Sequence, residues 1–195
     1  RTKLDEAGRG KQLLLVLVDG SYERVVEFWK GLPERTVCLG RSAKNRALCE
    51  LPTYAGFGRP AEYGPLTQHP AEWLHEQQGW KTTQVMVRGQ YREMRYRLEG
   101  PFLRNGMPHL PVFLVVVRGL DRHVNGRRLR RKPAFYLVNA SQEQDQWVLP
   151  LPIVSLLAWA WQRWELEVAH RELKSGFGLG EKQCWNARSA TVSVQ

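Results

Sequence analysis

Apolar and polar positions divide the chain into short blocks. Residues 1–11 (RTKLDEAGRGK) are polar and lack periodicity, so they read as a disordered lead-in. Residues 13–18 then form an unbroken Leu- and Val-rich run. Its length predicts a strand buried on both faces, at the centre of a mixed α/β sheet. The run ends at Asp19-Gly20-Ser21, and α/β folds tend to place their chemistry at such strand ends. Val25, Val26, Phe28 and Trp29 recur at near-helical spacing and predict a helix over 22–32, stopped by Gly31 and Pro33. Residues 36–40 (TVCLG) read as a second strand, which makes a βαβ crossover.

The middle of the chain changes character. Pro52, Pro60, Pro65 and Pro70, with Gly56, Gly58 and Gly64, predict an extended loop over 51–70. A short helix is expected at 72–78, then strands at 82–88, 91–98, 112–118 and 135–139. Asn125-Gly126 predicts a hairpin turn between the last two. Residues 80–140 therefore read as a mostly β insertion that returns to the central sheet. A long helix is predicted over 153–174, with Pro152 suited to its first position and Gly176 and Gly178 ending it. On that helix Arg163, Glu167, His170 and Lys174 share an arc of about 60°, beside an apolar face of Leu157, Trp161, Trp164 and Val168.

Composition narrows the function classes. Of 195 residues 43% are apolar, which argues against wholesale disorder, and no run reaches the length of a membrane span. No charged-then-apolar leader is visible. Cys38, Cys49 and Cys184 are scattered without paired spacing, which excludes a disulfide scaffold or a thiolate zinc site and fits a reducing compartment. The net charge is +10, carried by 21 Arg and 8 Lys. Arg is the better bidentate phosphate ligand, so nucleic acid is a candidate partner; a GC-rich genome would give the same excess.

Several chemistries find no foothold. The five histidines lack metal-ligand pairing, Gly176-x-Gly178-x-Gly180 follows no strand, and no Gly-x-Ser-x-Gly elbow exists. Two carboxylates remain, Asp19 at a strand end and Glu167 on the charged arc. Such oxygens suit a hard divalent cation, and two such ions can serve phosphodiester chemistry. The plainer alternatives are an Asp-Gly turn for Asp19 and a helical ion pair with Arg163 or Arg171 for Glu167. Arg127, Arg128, Arg130, Arg131 and Lys132 read as a phosphate track or as a solvated turn. Trp73, Trp80 and Trp147 could stack on bases or pack in the fold.

The segment RWELEVAHRELKSGFGLGEKQCW resembles the C-terminal signature of bacterial insertion-sequence transposases of the DDE, RNase H-like class. That signature is a Tyr, an Arg three on, a Glu four further and a Lys seven further. Arg163, Glu167 and Lys174 match these offsets, and Ala160 stands at the Tyr position, with Trp161 beside it. LVLVDGSYERVVEFWKGLPERTVCLGR resembles the family's second-Asp segment, with Asp19 and Tyr22 in place. The similarity spans residues 12–188.

The resemblance implies an α/β, RNase H-like mixed sheet flanked by helices and incomplete at the N-terminus. A mostly β insertion would separate the second-Asp strand from the Glu helix. The implied parts are a lead-in (1–11), core (12–50), loop plus β-rich insertion (51–133), core with the Glu helix (134–188) and a truncated tail (189–195). Asp19 and Glu167 would be the catalytic metal ligands, holding Mg²⁺ or Mn²⁺, two ions in the complete enzyme. Tyr22, Arg163, His170, Arg171 and Lys174 would contact DNA. The first Asp of the family would lie on an earlier strand, so this stretch alone would not complete the site. Implied partners are double-stranded DNA (transposon ends and target) and a second copy within a DNA complex, with no membrane, in a bacterial cytoplasm at the nucleoid. The alternative is a catalytically dead or domesticated fragment that binds DNA without cutting it.

Overall fold

The computed structural model describes residues 1–177 apart from 55, 88, 120, 125, 126 and 131. The side chains of 121–130, 164–168, 170, 171 and 174–177 lie outside that description. The chain divides into two compact units, residues 1–160 and 161–195. The first is an α/β unit built on a curled, mixed six-stranded sheet with few helices.

The expected βαβ start is present. β1 (Leu14–Val18) and β2 (Thr36–Arg41) run parallel, with Leu14 opposite Thr36 and Val18 opposite Gly40. The helix expected between them is broken in two, α2 (Gly20–Glu23) and α3 (Val26–Lys30). Val25 is extended between them, a conformation its β-branched side chain favours. The break lets Glu23 and Trp29 both turn inward, and the Trp29 indole Nε1 donates to the Glu23 carbonyl at 2.7 Å.

The sheet continues through β8 (Ala134–Asn139), β5 (Met107–Arg118), β4 (Gln90–Arg104) and β3 (Lys81–Val87), all antiparallel to their neighbours. The return to the sheet at 135–139 is thus as expected, between β2 and β5. Within the β-rich stretch, β3, β4 and β5 extend the same sheet as β1 and β2. β4 runs past Gly100-Pro101, a pair that reads as a breaker; a register shift between Glu99 and Phe102 absorbs it. β6 (Asp121–Val124) pairs with β7 (Arg127–Arg130), Val124 opposite Arg127; the expected Asn125-Gly126 turn itself lies outside the described residues. β9 (Ser141–Glu143) and β10 (Gln146–Val148) make a second small hairpin. The segment 51–70 is irregular as expected, and only one turn of 3₁₀ helix follows it, at Glu72–Leu74. α4 (Ile153–Phe177) then crosses from the first compact unit into the second.

Two expectations need correction. Residues 1–11 are not featureless: α1 (Thr2–Glu6) forms there, tied down by an ion pair from Arg35 to Asp5. Arg1 also bonds Asp5, and that hydrogen bond holds the Asp5 carboxyl below its ordinary pKa. β1, expected at the sheet centre and buried on both faces, is an edge strand whose first four residues are only half-buried. An apolar run reports what a strand could bury; here described strands flank it on one side only.

The core lies on the sheet face that α2 and α3 cover. Trp29, Cys38, Leu48, Phe102, Leu114 and Leu137 meet there. Leu114 and Leu137 are fully enclosed, and each such side chain contributes about 1.5–3 kcal/mol by leaving water. Burial also pushes the Cys38 thiol up to about 12, with the Glu23 carboxylate adding to it.

Candidate functional site

Asp19 follows the last residue of β1 and is exposed. Its Oδ1 accepts from the backbone N–H groups of Ser21 (2.8 Å) and Tyr22 (3.3 Å), capping α2. The turn reading of Asp-Gly is therefore correct as local structure, and the carboxylate is held in one orientation by it. Parallel pairing brings the end of β2, with the exposed Arg41, alongside. Tyr22 is 60% exposed, its ring 6.1 Å from that of Phe28.

The remaining expected residues are distributed over α4 and the β6–β7 hairpin. One continuous helix carries Arg163, Glu167, His170, Arg171 and Lys174, so the backbone sets their spacing. The side chains of the last four lie outside the described residues. Arg163 is 8% exposed. Ala160, at the Tyr position, is buried. Arg127, Arg128 and Arg130 lie on β7. Lys132 is exposed on the way into β8, while Arg131 is outside the described residues. Among the described residues no group of three or more His, Cys, Asp or Glu gathers as a metal cradle, and no helix is long and apolar enough to cross a membrane. One cavity, of about 270 Å³, opens at the opposite end of β1 and β2, between Leu13, Leu32, Arg35 and Asn139.

Sequence reasoning missed a row of arginine–tryptophan stacks along β4. At its far end Arg104 lies 5.6 Å from the Trp29 ring centre, donates to the Glu23 carbonyl (2.8 Å), and faces the Glu23 carboxylate at 3.4 Å. Arg46 pairs with the same carboxylate, which is wholly buried. Burial lowers the Arg104 pKa, and Glu23 acts against that. Next along the strand, Arg97 lies 4.5 Å from Trp73, pairs with Glu99 and donates to the Gln78 carbonyl. Trp80 carries two guanidinium groups, Arg95 at 5.6 Å and Arg118 at 5.3 Å. Arg95 and Arg118 are both exposed and directly opposite in the β4–β5 register. Neither has an ion-pair partner among the described residues. Trp73 and Trp80, candidates for base stacking, thus have arginines against their rings.

No family model matches the chain, and no curated protein or solved structure proves significantly similar to it.

Proposed function

We propose that the chain is the catalytic-core portion of a DDE, RNase H-like transposase, acting on phosphodiester bonds at the ends of a mobile DNA element. The observation that carries the reading is Asp19. It is a solvent-facing carboxylate at the carboxyl end of β1, beside parallel β2, with its orientation fixed by two backbone donors. The parallel pair with its helical crossover, extended by antiparallel strands, is compatible with an RNase H-like core carrying a β insertion. The continuity of α4 through Arg163, Glu167 and Lys174 supports the second half of the signature.

Asp19 fits a hard cation, Mg²⁺ or Mn²⁺, as an exposed oxygen donor; by the resemblance, Glu167 and one further carboxylate would be the other ligands. Among the described residues no strand pairs with the outer edge of β1, and a strand docking there would bring that carboxylate. Divalent ions bound there would stabilise the attacking and leaving oxygens of an in-line displacement. The protein's own task is positioning: the α2 cap aims Asp19, and the helix holds Lys174 two turns from Glu167 to meet the DNA backbone.

The test is Mn²⁺-dependent nicking of duplex DNA, with a strand that bears the further carboxylate supplied to complete the site. Nicking should fall at least 100-fold in Asp19→Ala and Glu167→Ala alike; nicking that survives both changes overturns the reading. Salt-sensitive DNA binding by the wild-type chain with no nicking in any metal would favour the second reading, a DNA-binding derivative that cuts nothing; the net charge of +10 supports that one too.

A further inference from the structure

We propose that Arg95, Arg118 and Trp80 form a seat for a backbone phosphate of duplex DNA, separate from the Asp19 strand end. The inference rests on the nucleic-acid reading above and adds to it a site on the opposite side of the sheet's mid-line.

The argument begins with charge. Like charges directly opposite on neighbouring strands repel, and a fold ordinarily avoids or neutralises them. The other two stacks in the row are neutralised: Glu23 serves Arg104 and Glu99 serves Arg97. Arg95 and Arg118 share one indole and have no acid partner among the described residues. Each guanidinium carbon lies 5.6 or 5.3 Å from the Trp80 ring centre, and such a contact consumes none of the hydrogen-bond donors, so the N–H groups stay available to an anion. A phosphate oxygen pair matches two adjacent guanidinium groups in both charge and donor geometry.

Topology indicates which phosphate. Arg118 ends β5, and β8 begins at Ala134, so the basic hairpin of β6 and β7 leaves and rejoins the sheet at this site. By register, Asp19 stands at the same end of the sheet, three strand positions and about three residues away, which is roughly 15–20 Å. That distance is about five steps along one strand of duplex DNA. A duplex running from Asp19 along this end of the sheet would reach Trp80, whereas a free phosphate ion would not span the two.

The experiment is anisotropy titration of a 30-base-pair duplex against KCl concentration. The Arg95→Ala/Arg118→Ala pair should lower the log–log salt slope by about 0.9, the value for the one phosphate that is no longer neutralised, and weaken binding about tenfold at 0.1 M salt. Arg118→Lys, which keeps the charge, should keep most of the slope. A second readout leaves both arginines in place: duplex addition should change tryptophan emission in the wild type, and Trp80→Phe should remove part of that change. An unchanged slope in the alanine pair, with an emission change independent of Trp80, overturns the proposal. If Asp19→Ala abolishes nicking while that slope stays unchanged, only this inference falls and the transposase reading stands. No binding of duplex by the wild type removes both. Displacement of duplex by polyglutamate at equal charge concentration also overturns it, in favour of an acidic polypeptide partner.

Discussion

The two ends of the arginine row on β4 use the same pair of side chains under opposite conditions. Around Trp29 the site is dry: Glu23 is wholly buried, and both arginines there converge on its carboxylate. Around Trp80 the site is wet, two arginines meet over one ring, and no acid answers them among the described residues. Arg97 on Trp73, with Glu99, lies between in sequence and in burial. A guanidinium over an indole is therefore not diagnostic of function by itself. What separates the ends is where the compensating charge comes from: inside the chain at Trp29, and from outside it at Trp80.

Removing the internal acid is the strongest way to break this comparison. Glu23→Gln leaves Arg46 and Arg104 facing each other without a carboxylate, and breaking a buried pair costs about 3–5 kcal/mol. Urea unfolding should register a loss of that size; a loss below about 1 kcal/mol would mean the cluster is hydrated and the contrast false. Arg97→Ala should cost less, about 1–2 kcal/mol, since it removes a stack, a partly exposed ion pair and a backbone hydrogen bond. The smallest effect sharpens the dry end. With the folded Cys38 thiol at about 12, the unfolded chain releases this proton first as pH rises past its ordinary value near 8.5. Stability from this group is thus complete below that value and declines between about pH 8.5 and 12, by about 0.5–1 kcal/mol at pH 9. Cys38→Ser should flatten that part of the pH profile, and in the folded chain iodoacetamide should label Cys49 well before Cys38.

What was legible in the sequence was local. The strand before Asp19, its polar exit, the second strand, the pairing of β6 with β7 and the long C-terminal helix all announce themselves through periodicity and turn residues within a few positions. What stayed hidden depends on register. Glu23 meets Arg46 and Arg104 across 23 and 81 positions, and nothing near Glu23 marks it as buried. Arg95 faces Arg118 only because β4 and β5 pair as they do. The split of the expected helix at Val25 follows from Glu23 and Trp29 both needing the interior, a tertiary demand that outweighs helical spacing. The half-buried state of β1 is a fact about its neighbours, so its own residues could not report it.

Position 40 has a bearing on how this chain can drift. A Cβ there would stand 3.0 and 3.1 Å from the Glu23 side chain and 3.1 Å from Trp29, closer than such atoms comfortably approach. Glycine at 40 is what allows a helix-borne carboxylate and an indole to press flat on the sheet. Positions 23, 29 and 40 consequently form one hereditary unit, in which the alphabet open to each depends on the letters at the other two. Only a descendant that trades both Glu23 and Trp29 for smaller residues frees position 40 to acquire a side chain. One that keeps the acid keeps the glycine.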